Sequence, residues 1–211
     1  ARTFHVNSPN ANIASFEGHQ GEGFVISSGT DGRIDLIGYD DGASAYNKLV
    51  MRSTGSGDQL TLTTDGEVQM PLQPSFRVLS ADMNNVARNQ YNTVEYNSEL
   101  FDIGSNFNTS TYTFTAPITG KYVLSVQILL VSADTAAGYY GVRLEASNHA
   151  YWDYLHSVKY DSDPEYLPIS FTRVMDMDEN DTAYVRIYQY QGTAQTDVVS
   201  GSTVWQGMLI G

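Results

Sequence analysis

The sequence predicts an all-β protein in two parts, a short β-rich stem followed by a β-sandwich or jelly-roll head, on three observations. Fifteen tyrosines, many threonines and 18 glycines, with few alanine- or leucine-rich stretches, are the composition of pleated strands joined by tight turns. In the N-terminal third a small unit recurs, two apolar residues flanking one residue and then a polar loop rich in glycine and aspartate. Beyond residue 74 the alternation of apolar and polar residues is stronger and runs over longer stretches.

The recurring apolar pairs are Phe24/Ile26, Ile34/Leu36, Leu49/Met51, Leu60/Leu62 and Val68/Met70. Asp31-Gly32, Asp41-Gly42 and Asp65-Gly66 supply turns that tolerate positive φ. The strands are expected to be very short. A strand with two inward residues buries too little apolar area to offset the entropy of ordering it, so such units need neighbours stacked along the chain or supplied by other chains. Residues 1–72 are therefore expected to form an intertwined shaft wound with other subunits; the alternative is a small autonomous sandwich. Pro71 and Pro74 then interrupt the pattern, because proline donates no ladder hydrogen bond and stiffens the chain, and the boundary to a second domain, residues 73–211, falls there.

In that domain strands are expected over residues 112–114, 122–131, 139–146, 167–174, 183–190 and 204–210, a pattern that suggests a sandwich or jelly roll. Residues 122–131 carry Tyr122, Leu124, Val126, Ile128 and Leu130 on one face and Val123, Ser125, Gln127, Leu129 and Val131 on the other. With apolar groups on both faces, one is expected to line the core and the other to meet another subunit. In the strand from Ala183, Tyr184, Tyr188 and Tyr190 alternate with Val185 and Ile187. An exposed ladder of three tyrosines is costly to leave in water, so these are candidate trimer-interface residues; the alternative is a face covered by the chain's own loops.

Lysine and arginine total 11 against 24 aspartates and glutamates, a formal net charge of −13, which argues against nucleic acid or anionic lipid as partner because polyanions need a basic surface. There is no cysteine, so disulfides, thiolate zinc sites and cysteine catalysis are excluded. No apolar run approaches the roughly 20 residues of a membrane helix, and membrane insertion is not expected. With no basic and apolar leader at Ala1, either a leader was removed or the chain is a fragment of something longer, and the fragment is the favoured expectation.

From Tyr96 to Val126 the chain resembles the signature of the C1q-like globular head, whose jelly roll is shared with tumour necrosis factor. The matching positions are Tyr96, Asp102, Phe107, Phe114, Gly120, Tyr122, Leu124 and Val126, with the spacing met throughout. Tyr96 stands where phenylalanine is usual, and Leu124 and Val126 replace aromatics. Pro74-Ser75-Phe76 looks like the family's first strand and residues 204–210 like its last, so the resemblance covers residues 74–211 and implies a trimeric head. Residues 60–68 resemble the strand, Asp-Gly turn and strand that precede a terminal knob in virion proteins, and residues 70–76 the junction into phage-borne heads of this type. With no collagen triplet run ahead of the head, this resemblance implies a bacteriophage rather than an animal protein.

The usual catalytic constellations are missing. His5, His19, His149 and His156 lack zinc-protease spacing, and there is no Gly-x-Ser-x-Gly elbow or phosphate loop. Asp176, Asp178 and Asn180 begin like a calcium loop, but Asp181 stands where glycine is needed and Ile187 where the bidentate glutamate belongs. An enzyme is not expected. No cofactor is required; calcium is a candidate, since some heads of the family carry it near the trimer apex, but no ligands can be assigned.

Residues 148–166 are the segment most suggestive of a ligand. Tyr151, Trp152, Asp153, Tyr154, His156 and Tyr160 mix aromatic faces, which stack on sugar C–H surfaces, with a carboxylate that accepts hydroxyl protons. The alternative is an edge strand and loop whose aromatics fill the sandwich or a subunit interface. The expected protein is thus a homotrimeric tail fibre or spike of a bacteriophage, located on the virion and extracellular. It would bind other virion proteins through its N-terminal end and a host cell-surface saccharide through its knob. Alternatives are a capsid-decorating head fibre or trimerisation cap, a polysaccharide depolymerase, and a secreted C1q-domain lectin.

Overall fold

The structure is a computed structural model that describes residues 12–17, 22–28, 34–40, 45–51, 57–156 and 160–211; before residue 48, side chains are described only at Ile26, Leu36 and Ile37. The Asp31-Gly32 and Asp41-Gly42 turns, His5 and His19 lie outside the described residues, as does the side chain of Phe24. The chain divides into two compact units, Ala1–Leu72 and Gln73–Gly211.

In the first unit β1 (Asn12–Glu17), β2 (Glu22–Ser28), β3 (Ile34–Asp40) and β4 (Ala45–Asn47) form an antiparallel sheet in that order. The expectation of uniformly very short strands is corrected here: β2 and β3 pair over seven residues, from Glu22 opposite Asp40 to Ser28 opposite Ile34. The ladder is made by backbone groups, so serine and aspartate extend it past the apolar pair that marks the strand in sequence. A second, three-stranded sheet has strands as short as expected, β5 (Leu49–Met51), β6 (Leu60–Leu62) and β7 (Val68–Gln69). Asp65-Gly66 turns β6 into β7: Gly66 takes φ +88°, and the Thr63 N–H donates to the Glu67 carbonyl at 2.9 Å.

The second unit continues with β8 (Ser75–Ser80), β9 (Tyr91–Thr93), β10 (Tyr96–Ile103), β11 (Phe107–Asn108), β12 (Thr113–Thr115), β13 (Gly120–Val131), β14 (Ala137–Ala146), β15 (Ala150–Leu155), β16 (Tyr166–Met177), β17 (Thr182–Gln191), β18 (Asp197–Val198) and β19 (Val204–Leu209). One sheet runs β10-β8-β19-β13-β16 with β18 beside β13; the other runs β11-β12-β17-β14-β15 with β9 beside β17. This is a jelly-roll sandwich. Tyr112, expected to open a strand, instead takes a left-handed turn at φ 58°, and the strand begins at Thr113. β10 escapes a reading by alternation because two register shifts against β8 break its period and leave Leu100 and Phe101 both exposed.

The inward residues of both sheets make one core, and the signature residues supply much of it. Phe76 stacks on Phe114 at 4.7 Å and on Phe107 at 5.4 Å, and Trp205 meets Phe76 edge-on at 5.1 Å and Tyr96 at 5.6 Å. Tyr122 packs against Phe114 and donates its hydroxyl to the Ile118 carbonyl at 2.7 Å. Asp102 accepts the Phe107 N–H at 2.8 Å, pinning the entry to β11. Gly120 and Gly207 are there because nothing larger fits: a Cβ on Gly120 would stand 2.7 Å from Cδ1 of Leu209, and one on Gly207 would overlap Leu124 and lie 2.8 Å from Cε1 of Phe76.

Beyond the ends of β13 and β17 the loops are tied by Asp134, a buried carboxylate. It accepts the N–H groups of Ala194 at 2.7 Å, Ala136 at 2.8 Å and Thr193, and the Thr193 hydroxyl at 3.2 Å. Burial alone would raise its pKa, but these donors outweigh that and hold it below the usual carboxylate value. Beside it, burial pushes the Tyr140 phenol up to about 12, so it stays a donor to the Asp134 carbonyl, at 3.1 Å.

Two outcomes are expected in chemical denaturation. Gly207→Ala lowers stability by ~2 kcal/mol through overpacking. Asp134→Ala costs ~2 kcal/mol at neutral pH by removing the charged acceptor that the N–H groups of Ala136, Thr193 and Ala194 share. Because the folded pKa of Asp134 is depressed, its stabilisation is fully present above the unfolded carboxylate pKa of about 3.9 and is lost as pH falls through the lower folded value. The gap between wild type and Asp134→Ala should therefore be constant above about pH 5 and shrink below about pH 4.

Candidate functional site

The solvent side of the sheet containing β14 and β17 carries an aromatic layer built by strand register. Side chains of a strand alternate between faces, so Tyr139, Gly141, Arg143 and Glu145 of β14 point outward while Tyr140, Val142, Leu144 and Ala146 are buried in the core. Pairing sets Tyr190, Tyr188, Arg186 and Tyr184 of β17 opposite those four outward residues, in that order. On the other flank β15 brings Tyr154 opposite Gly141 and Trp152 opposite Arg143, and β9 brings Tyr91 opposite Tyr188.

Gly141 leaves the middle of the face without a side chain, and Trp152 leans over it: a Cβ there would lie 3.2 Å from the indole Cζ3. Trp152 stacks on Tyr154 at 5.3 Å with 10° between the planes and meets Tyr91 at 5.3 Å. Tyr91 in turn meets Tyr188 at 5.1 Å, and Tyr139 stacks on Tyr190 at 5.0 Å and Tyr188 at 5.9 Å. Trp152 is half-buried at the centre, while Tyr154, Tyr91 and Tyr190 form an exposed rim. Burial raises the Tyr139 phenol, and the surrounding tyrosines add to the shift. One end of the layer is polar.

That end is an Arg-Glu-Arg network. Arg143 and Arg186 lie directly opposite each other, an unfavourable like-charge pair that Glu145 offsets. Its Oε2 stands 3.3 Å from Nε of Arg143 and 3.6 Å from Nη1 of Arg186, distances of ion pairs rather than of aligned hydrogen bonds. The guanidinium of Arg143 covers the Trp152 ring at 5.2 Å, and that of Arg186 covers Tyr184 at 4.8 Å and donates to its hydroxyl at 3.0 Å. Burial and the nearby negative charge of Glu145 raise the Tyr184 phenol, against the two arginines.

The sequence-predicted ligand residues divide. Trp152 and Tyr154 stand on this face, and the His156 ring lies 6.2 Å from Tyr139 at its margin. Tyr151 points the other way, against the core, with His149 stacked beside it at 6.4 Å. Asp153 alternates with Trp152 and Tyr154 and accepts the Tyr154 N–H at 3.0 Å. Tyr160 is exposed and joins none of the described ring pairs. The segment includes an edge strand, β15, and residues 157–159 lie outside the described residues. Tyr184, Tyr188 and Tyr190 share one face as expected, but not as an open ladder: Tyr188 and Tyr184 already have partners in their own chain. Sequence reasoning missed Tyr91, Tyr139, Arg143 and Arg186; the outward alternation of residues 139–145 was the available signal. Among the described residues no group of three or more His, Asp or Glu side chains converges as metal ligands would.

Comparison with known proteins bears on the fold of the head. The family model for the C1q domain matches residues 76–210, more than half of the chain. The globular domain of zebrafish complement 1qA protein superposes with a TM-score of 0.51 at 19% identity, over 66% of this chain and 98% of that one. Two crystal structures of murine APRIL match at 13% identity with TM-scores of 0.48 and 0.47, over 65% of this chain and 99% of theirs. No curated protein sequence matches. At these identities the structural likeness carries the fold and nothing further.

Trp152→Ala should cost ~2 kcal/mol in urea denaturation, less than a fully buried tryptophan, and leave the core intact as read by unchanged far-UV circular dichroism.

Proposed function

The chain belongs to the C1q domain family, and on that premise we propose that it is a homotrimeric attachment protein of a bacteriophage fibre or spike whose head binds a host cell-surface saccharide. The observation that carries the binding half is the aromatic layer with its exposed rim of Tyr154, Tyr91 and Tyr190. Flat rings beside hydroxyls and guanidinium donors are what sugar C–H faces and hydroxyl groups require. A virion address rests on the resemblance of residues 60–76 to phage shafts and their junction with a terminal head. Binding, not catalysis, is the activity such a surface supports.

For the trimer, the solvent side of the other sheet is the favoured contact. Val123 there lies opposite both Met208 and Val174, and Val131 opposite Tyr166; Met208, Val174 and Tyr166 are all exposed. The tyrosine face is then free for ligand. Three chains of −13 make −39, which disfavours nonspecific adhesion to anionic envelopes, and three equal sites turn weak single-site affinity into useful avidity. One observation favours the structural alternative, a capsid-decorating or trimerising cap: the rings of the layer cover one another, as a surface cluster that only stiffens the sheet would.

Glycan-array binding by the purified chain, with its mass followed by light scattering, separates the two. A trimer that binds one bacterial saccharide class, and loses it in Tyr154→Ala and Trp152→Ala while staying trimeric, is the expected result. A stable trimer that binds nothing across a host-relevant array turns the assignment to the structural cap.

A further inference from the structure

The β5–β7 sheet of the stem is turned inside out for a single chain. Leu49 pairs with Leu62 and Leu62 with Val68, while Met51 pairs with Leu60, so five apolar side chains occupy one face. Met51, Leu62 and Val68 are 61%, 41% and 65% exposed. Thr61, on the opposite face between Val50 and Gln69, is 4% exposed. Its side is lined by Lys48, Asp58, Thr63, Thr64, Gln69 and Pro71, with Lys48 and Asp58 ion-paired at 3.1 Å. Leu49 and Leu60 are half-buried, but burial of the threonine with exposure of Leu62 beside it reverses what apolar transfer free energy favours within one chain.

We infer that the apolar face of β5–β7 is a contact between copies of this chain, closing the stem around a shared apolar seam. The inference rests on the homotrimer proposed above. The occupant is a second copy for two reasons. The five side chains carry no charge, so like faces meet there without the repulsion expected elsewhere on a chain of net charge −13. Only residues 70–74 separate β7 from β8, so a trimeric head would tie three stems together at an effective concentration of about millimolar. Strands of three, three and two residues are also too short to persist with their apolar side in water.

The chain has no cysteine, so one introduced thiol reports its own surroundings. The full-length chain carrying Leu62→Cys is treated, dilute, with a short bismaleimide and run on a denaturing gel, beside Gln69→Cys, an exposed position on the opposite face. Light scattering first establishes the assembly of each variant. A trimer in which Leu62→Cys cross-links all but one chain of each assembly, with cross-linking lost at Gln69→Cys, is the expected result. A trimer that cross-links equally at both positions, or at neither, overturns the stem contact and leaves the trimeric head standing. A monomer overturns both.

Discussion

The head depends on the register of β13. This strand is hydrogen-bonded along both edges, to β16 from Gly120 opposite Met177 through Val131 opposite Tyr166, and to β19 from Tyr122 opposite Leu209 through Gln127 opposite Val204. A slip of one residue would turn Tyr122, Leu124, Val126, Ile128 and Leu130 out to solvent and bring Ser125 and Gln127 into the core. Gly120 and Gly207 sit on β13 and β19 where that register presses backbone against Leu209, Leu124 and Phe76. The aromatic cluster of Phe76, Phe107, Phe114, Tyr96 and Trp205 closes only when β8 and β19 lie at their places on the same sheet.

With the core settled, each sheet keeps an outer face, and the two faces differ in kind. The face over β14 and β17 is aromatic and largely self-satisfied: rings pack on rings, guanidinium groups cover rings, and a single glutamate offsets two arginines. The face over β13 and β16 mixes exposed aliphatic residues with Arg77, Gln206 and a Ser125 hydroxyl that accepts from Thr172 at 3.0 Å. The head thus presents two unlike surfaces on opposite sides of one core.

Legibility in the sequence followed the range of the interactions. Strands with an unbroken period-two apolar face, such as Tyr122, Leu124, Val126, Ile128 and Leu130 of β13, could be read from their own residues, because that period is a local fact. β10 could not be read this way, since its register shifts erase the period, and neither could β1 and β4. Trp152 and Tyr154 were legible as aromatic candidates for a ligand contact, whereas Tyr91, Tyr139, Arg143 and Arg186 were not, because their membership of the face depends on pairing across four strands.

By itself, the sequence determined the all-β class, the family of the head and the residues of its aromatic core, since composition, alternation and the spacing from Tyr96 to Val126 are properties of single segments. Tertiary structure decided which side of each strand became surface and which distant residues share it. It set Tyr151 against the core and Trp152 in the outer layer, though they are neighbours in the chain. It also buried Thr61 while leaving Leu62 in water. The reason is physical: alternation says that two neighbours face opposite ways, and only the packing of one sheet on another says which way is in.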